Sequence, residues 1–403
     1  MTSRALAPIL FLGLATTACG TSPPPSDTQP TDAADTMTAS GLPGDRYCSA
    51  GTSVTCNAAA GQVATCGVCV TPTSMPTERL VRTPCAQLSM GPSREYCDRT
   101  ATVPTPANLA CYSSFDPMNP PPLAMTQMVT IWGVADVFGT GGDSQHVRVE
   151  VFEVGAEGTP GRSLGFDITD TARMWSEEED ELDNSGNVRT HRRLGAYSIP
   201  NIPTERPLVI VTRGDPSDAM AARDFFAHPI YDYTLAIRNS EIGRVPEYQM
   251  GRTIPPSITG PAVYIRARVL ANADWTIIPS TAALPTGIPV GHGAVAGEVH
   301  DCDDVRLSNA TVYINPAPNF ESTVYFSDND TRPLPDMSRS SRGTQILGLY
   351  AMLDVTPGPV RVAAVGYDAN GQLVHSGFYQ ARVFPDAVTT VTVRGLRPWQ
   401  VQR

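Results

Sequence analysis

The 403-residue chain contains no lysine, so all 29 of its basic residues are arginine. Schiff-base chemistry, a lysine general base and a Walker-type phosphate lysine are thereby excluded. Charge of either sign is scarce, at 17% of residues against roughly 25% in average soluble domains. That is too little to coat the outside of a helical bundle. The chain also lacks a GxSxG elbow, an HExxH pair, a phosphate loop and a GxGxxG turn. No stretch reaches eighteen consecutive apolar residues, so no long hydrophobic helix is expected to span a membrane. The six histidines (His146, His191, His228, His292, His300, His375) form no close-spaced metal pair. A net charge of −11 argues against nonspecific nucleic-acid binding. Glycine (33) and proline (37) are plentiful instead, which favours many short strands joined by turns. The length and the 41% apolar fraction suffice for two or three cores.

The N-terminus reads MTSRALAPILFLGLATTAC. Arg4 supplies a minimal basic region, Leu6 to Ala15 a short apolar run, and Thr16, Thr17 and Ala18 small residues before Cys19. The run is too short to cross a bilayer and sits where an export signal sits. It resembles a bacterial lipoprotein signal over residues 1–18, although Thr16 stands where Leu, Val or Ile is usual. The resemblance implies that Cys19 is acylated; an ordinary secretion signal is the alternative. Residues 19–45, rich in Pro, Ser, Thr and Asp, have almost nothing to bury and are expected to form a disordered tether.

A cysteine-rich region follows at 46–115, with Cys48, Cys56, Cys66, Cys69, Cys85, Cys97 and Cys111. That density in an exported chain points to disulfides. Seven is odd, so either Cys302 pairs back to the block or two thiols stay free; the connectivity is not readable. Cys66 and Cys69 form the one CxxC, and a zinc ribbon would need a second such pair.

From residue 127 the texture becomes period-two alternation, as in Val147-x-Val149-x-Val151 and Val263-x-Ile265-x-Ala267-x-Val269, the pattern of half-buried strands. One helix is expected, over Pro216–Phe226, with Asp215 as its cap. An internal repeat stands out. Gly195-Ala-Tyr197-Ser-Ile199 with a Pro-rich turn and Pro207-Leu-Val-Ile-Val matches Gly348-Leu-Tyr350-Ala-Met352 with its Pro-Gly turn and Val360-Arg-Val362. Upstream stand Gly133-Val-Ala-Asp136 and Gly297-Glu-Val-His-Asp301. The repeat predicts two units, 127–272 and 292–398, joined by a linker at 274–291. Val149, Val151, Tyr197, Ile199, Val209 and Val211 should line one core, and Val312, Ile314, Tyr350, Met352, Val360 and Val362 the other. If Tyr197 and Tyr350 fell on different strands, or if strands of both units shared one sheet, the duplication reading would be wrong.

The Gly297-x-Val-x-Asp-Cys302 start, the Ser308-to-Tyr313 strand and Gly348-x-Tyr350 with its Pro-Gly turn resemble the carboxypeptidase-regulatory-like domains of the transthyretin-like (prealbumin-like) group. The resemblance covers about 260 residues, and the second unit fits it better than the first, which carries an insertion near 167–192. It implies an all-β chain of two tandem antiparallel Greek-key sandwiches without catalytic residues of their own. Combined with the N-terminal pattern, it is similar to bacterial envelope lipoproteins.

Three further features suggest ligands. Glu177-Glu-Glu-Asp-Glu-Leu-Asp183 packs six acids into seven residues, expected as an exposed loop because like charges repel. Its functional reading is a weak calcium site through Glu178, Asp180 and Asp183. His300-Asp-Cys-Asp-Asp304 clusters metal-ligand types within a turn. Trp175 and Trp275 lie in polar surroundings and are candidates to stack on sugars, against a plain packing role. The expectation is a noncatalytic outer-membrane lipoprotein of a Gram-negative envelope that binds a protein or polysaccharide. The alternative is a carbohydrate-binding or accessory subunit of an envelope peptidase or glycan-processing enzyme.

Overall fold

The computed structural model describes residues 54–88, 94–113, 124–138, 142–182, 188–233, 237–245, 253–320, 323–329 and 333–395. The signal, Cys19, the tether and Cys48 lie outside them. In the cysteine-rich segment β1 (Val63–Thr65) and β2 (Val68–Val70) form a hairpin, β3 (Val81–Arg82) pairs with β4 (Thr105–Pro106), and one turn of helix, α1, spans Ala110–Ser113. The first unit holds β5 (Met128–Phe138), β6 (Val147–Val154), β7 (Pro160–Ile168), β8 (Glu177–Leu182), β9 (Val188–Leu194), β10 (Ala196–Pro203), β11 (Leu208–Gly214), β12 (Ile230–Asp232), β13 (Ala262–Tyr264) and β14 (Ala267–Leu270). Helix α2 spans Asn272–Thr281. The second unit holds β15 (Gly293–His300), β16 (Leu307–Ser308), β17 (Thr311–Asn315), β18 (Val324–Tyr325), β19 (Leu349–Val355), β20 (Gly358–Tyr367), β21 (Leu373–Val383), β22 (Val388–Thr390) and β23 (Val393–Arg394).

One packing motif recurs in the two units. In the first, β5 runs between antiparallel β10 and parallel β13–β14, and Tyr197 stands opposite Gly133. In the second, β15 runs between antiparallel β19 and parallel β22–β23, and Tyr350 stands opposite Gly297. Each parallel partner breaks for two residues, the first of them Ile265 or Val391. Its amide donates to Trp132 or Ala296 respectively (2.8 Å each), the residue before the glycine. Its carbonyl turns in and accepts from the tyrosine hydroxyl, at 2.8 Å from Tyr197 and 2.6 Å from Tyr350. That carbonyl occupies the space a side chain would need. A Cβ on Gly133 would lie 2.0 Å from the Ile265 oxygen, and one on Gly297 2.0 Å from the Val391 oxygen. Both buried hydroxyls are thus satisfied inside apolar cores.

The expectation of two duplicated, separate antiparallel sandwiches nevertheless fails on its own criterion, because strands of both units share one sheet. β12 pairs in parallel with β22, Ile230 opposite Val388, so β7, β6, β11 and β12 continue into β22, β15, β19 and β18 as one sheet, with β23 also paired to β15. All twelve expected core residues are buried, but Val209 and Val211 sit in the core of the second unit. The physical reason lies in Leu208-Val-Ile-Val. Four successive apolar residues place Leu208 and Ile210 toward the first core and Val209 and Val211 toward the second. A strand apolar on both faces must be covered on both.

The 274–291 segment, expected as a linker, begins within α2, and Trp275 and Ile278 pack against the cluster that includes Leu353 and Val388. Asp274 in its first turn is the signal that favours a helix there. The expected Pro216–Phe226 helix shortens to one wide turn, Met220–Phe225. Asp215 is spent on Ser217, and Asp218 instead accepts from the Met220 and Ala221 amides (2.9 and 3.2 Å).

Gly133→Ala and Gly297→Ala should therefore each cost at least ~2 kcal/mol of stability, since rigid backbone stands in the way. Gly142→Ala, with nothing within 4 Å, should be near neutral. Urea unfolding of the three variants checks this, and a neutral Gly297→Ala would contradict the shared motif.

Candidate functional site

The cysteine-rich segment is sewn to the second unit. β3 pairs with β16, Arg82 opposite Leu307, and Cys111 bonds to Cys302 across 191 residues. Cys56–Cys69 and Cys85–Cys97 close shorter loops. Of the two open alternatives, Cys302 therefore pairs back to the block. The CxxC cysteines are not bonded to each other, for Cys69 holds Cys56 and Cys66 is in a disulfide as well. Val68 and Val70 of β2 pack on Ala363 and Val365, on the outer face of the β17–β20–β21 sheet.

The acidic run is a strand, not a loop. β8 pairs with the arginine-rich β9, with Glu178 opposite Arg193, Glu179 opposite Arg192 and Asp180 opposite His191. The expected repulsion is cancelled by cations on the neighbouring strand. Glu178 points outward, 3.3 Å from Arg193. Glu177 and Glu179 turn inward to Arg266 (3.1 and 2.5 Å), and Glu179 also meets Arg192 at 2.5 Å. Asp183 lies outside the described residues. Among those described, no three His, Cys, Asp or Glu side chains are grouped to hold a metal. Of the calcium candidates, Glu178 belongs to this charge-paired hairpin, and the side chain of Asp180 also lies outside the described residues.

Protein also occupies the two candidate tryptophans. Trp175 donates its Nε1–H to the Tyr197 carbonyl (3.4 Å) and packs with Trp132 and Tyr264. Trp275 is stacked on His228 with ring centres 4.2 Å apart. Both serve as packing.

The structure instead brings together a buried charged seam that was not foreseen. Arg266 and Arg268 alternate with apolar residues near the end of the first unit; Arg266 reaches Asp136 (2.9 Å), and Arg268 crosses to Glu298 of the second. Glu298 also receives Arg306 and His300, each at 2.8 Å. The His300 ring, fully buried, has its other nitrogen 2.8 Å from Asp304, which lies 3.4 Å from Arg394. Tyr96 of the cysteine-rich segment lies against this group, 4.8 Å from the His300 ring, with the Arg306 and Arg394 guanidiniums over its face. His300 and Asp304 therefore act inside a salt-bridge network rather than as open metal ligands.

Burial acts to raise the Glu298 carboxyl, but Arg306, Arg268 and His300 outweigh it and hold the group well below the ordinary range. Asp136 is likewise lowered, by Arg266 and Arg192 against the effect of burial. At Glu95 burial wins over the nearby Arg266 and Arg306, so its carboxyl is raised. Burial and the Glu95 charge push the Tyr96 phenol well above its usual value. Arginine does not give up its proton, so these pairs hold charge in place and pass no proton along. Chemically the seam is a clamp among three segments. Its sequence signal was Arg266-Ala-Arg268 beside Glu298-Val-His300, two strands with charges at alternate positions.

No family model matches the chain, and no curated protein matches it. Among solved structures it is similar to the Bacillus anthracis TIE protein (8% identity, TM-score 0.16), covering 67% of this chain and 35% of that one, so it spans about a third of that protein's length. It is similar to the shaft pilin SpaA from Lactobacillus rhamnosus GG (8% identity, TM-score 0.16), covering 68% and 99%. A Streptococcal ancillary pilin follows at 9% identity and TM-score 0.13, covering 67% and 62%. TM-scores this low support no argument about fold or function.

Glu298→Gln should cost about 3–5 kcal/mol, because it leaves Arg268 and Arg306 without their counter-charge. The lowered carboxyls of Glu298 and Asp136 also predict a pH effect. Their contribution is present above the ordinary carboxylate pKa and lost as pH falls below it. Calorimetric Tm values from pH 7 to pH 3 should fall more steeply for the wild type than for Glu298→Gln; parallel curves would contradict the clamp.

Proposed function

We propose that this chain is a lipid-anchored protein of the cell envelope that works without catalysis, as a surface binding or structural module. The observation that carries this reading is the Cys111–Cys302 disulfide, which joins the cysteine-rich segment to the second unit across 191 residues. With Cys56–Cys69 and Cys85–Cys97 it makes a covalent frame of a kind that persists in oxidising compartments. The export-like N-terminus ending at Cys19 agrees with that address. Among the described residues no helix is long and apolar enough to cross a membrane, so Cys19 is the proposed attachment.

The fold we assign is a pair of transthyretin-like Greek-key sandwiches, fused rather than separate. The recurring Gly–Tyr pairing at Gly133/Tyr197 and Gly297/Tyr350 supports it. The partner is an envelope protein or polysaccharide, reached from the outer membrane of a Gram-negative cell. Trp175 and Trp275, half-buried and packed on protein, are not free stacking platforms.

The test is fractionation. Wild-type protein should partition with membranes, and Cys19→Ala should release it or block processing of the precursor. A Cys19→Ala protein that fractionates like the wild type would remove the anchor from the proposal.

A further inference from the structure

His375, on β21, lies beneath the cysteine-rich segment and is 1% exposed. Its Nδ1 is 3.5 Å from the Tyr112 hydroxyl on α1, and its Nε2 has no hydrogen-bond partner among the described residues. The Tyr112 ring meets the imidazole edge-on at 6.1 Å, and Phe378 closes another side at 5.7 Å. Tyr112, Leu109, Phe378 and the Cys111–Cys302 bridge pack as one small apolar cluster. Among the described residues, an imidazolium formed there would have no acceptor for its Nε2–H and no counter-ion.

The charged groups on the surrounding elements are turned elsewhere. Asp301 accepts from the Asn108 and Val305 amides, Asp303 meets Asn108 and Arg82, and Asp304 holds His300 and Arg394. Arg361 and Arg382 lie toward the other end of the β20–β21 pair, where Arg382 meets Glu157. Asp368 is occupied in the turn before β21 by the Asn370 and Gln372 amides, and Arg79 lies against Gly371 of that turn. Of the nearby tyrosines, Tyr313 is bonded to Ser74 and Tyr379 packs in the inner core.

We infer that α1 is an acid-released clamp: a proton on His375 drives the stretch around Tyr112 off the outer face of β21, while Cys111–Cys302 keeps it tethered. Burial alone holds the imidazole at about 3, against its ordinary 6.5. The clamped state excludes the proton and the open state admits it. Clamping is therefore complete above pH 6.5 and weakens about tenfold per pH unit between roughly 6 and 4. Opening would uncover Phe378 and the apolar face beside it.

Hydrogen exchange on the full, oxidised protein from pH 7.5 to pH 4 tests this, with protection corrected for the intrinsic pH dependence of exchange. In the wild type, protection of peptides covering 107–113 and 373–379 should fall about 50-fold between pH 6.5 and 4.5. Protection of Leu349–Val355, in the core, should hold. His375→Gln and His375→Phe should each abolish the fall. A flat wild-type profile, a fall shared by Leu349–Val355, or the same fall in both variants would overturn the inference. If neither variant folds, the wild-type contrast between the two regions decides it.

Discussion

Ile230, Tyr231 and Asp232 pair in parallel with Val388, Thr389 and Thr390, and through these short strands two bodies become one sheet. A three-residue pair is weak by itself, because each ladder bond contributes little net stability in water. It persists because β11 beside it is apolar on both faces and needs a core on each. Burying Val209 and Val211 requires the second unit, and burying Leu208 and Ile210 requires the first. Neither unit can leave without exposing a face of β11. A hydrophobic demand of that kind is larger than any single hydrogen bond at the join.

The charged seam makes the join specific. Arg268 reaches from the last strand of the first unit to Glu298 of the second, and Tyr96 brings the cysteine-rich segment against the same group. Buried ions add little net stability when paired, but a misplaced one is costly, so the network penalises any other docking of the three segments. The disulfide at Cys302 then holds the third segment a few residues from His300. Hydrophobic demand, charge matching and a covalent bond thus act on the same stretch, from β15 to Leu307.

Local alternation in the sequence was enough to place strands such as β6, β11, β15, β17 and β20 and to name twelve residues that are buried, ten of them in the expected core. The recurring Gly–Tyr motif was legible because Gly133 and Gly297 answer one steric demand, a carbonyl where a side chain would otherwise be. Other features were hidden for physical reasons. Val209 and Val211 belong to the other core because a run apolar at every position does not say which face meets which neighbour. The acids of β8 looked repulsive because the arginines that neutralise them, Arg192 on β9 and Arg266 just before β14, stand on other segments of the chain. Arg266 and Arg268 looked like the wet side of a strand, and only their partners, Asp136, Glu177 and Glu179 for Arg266 and Glu298 of β15 for Arg268, make that side an interior. Pairing of Cys111 with Cys302 depends on a turn 191 residues away.

The central claim is that the two units form one cooperative body through β11, β12 and β22. Native-state hydrogen exchange in increasing denaturant, on the oxidised protein, measures this most directly. The account predicts that the slowest amides of β5 in the first unit and β19 in the second open with the same free energy and the same denaturant dependence. Separate opening of β5, with β19 still fully protected, would contradict it.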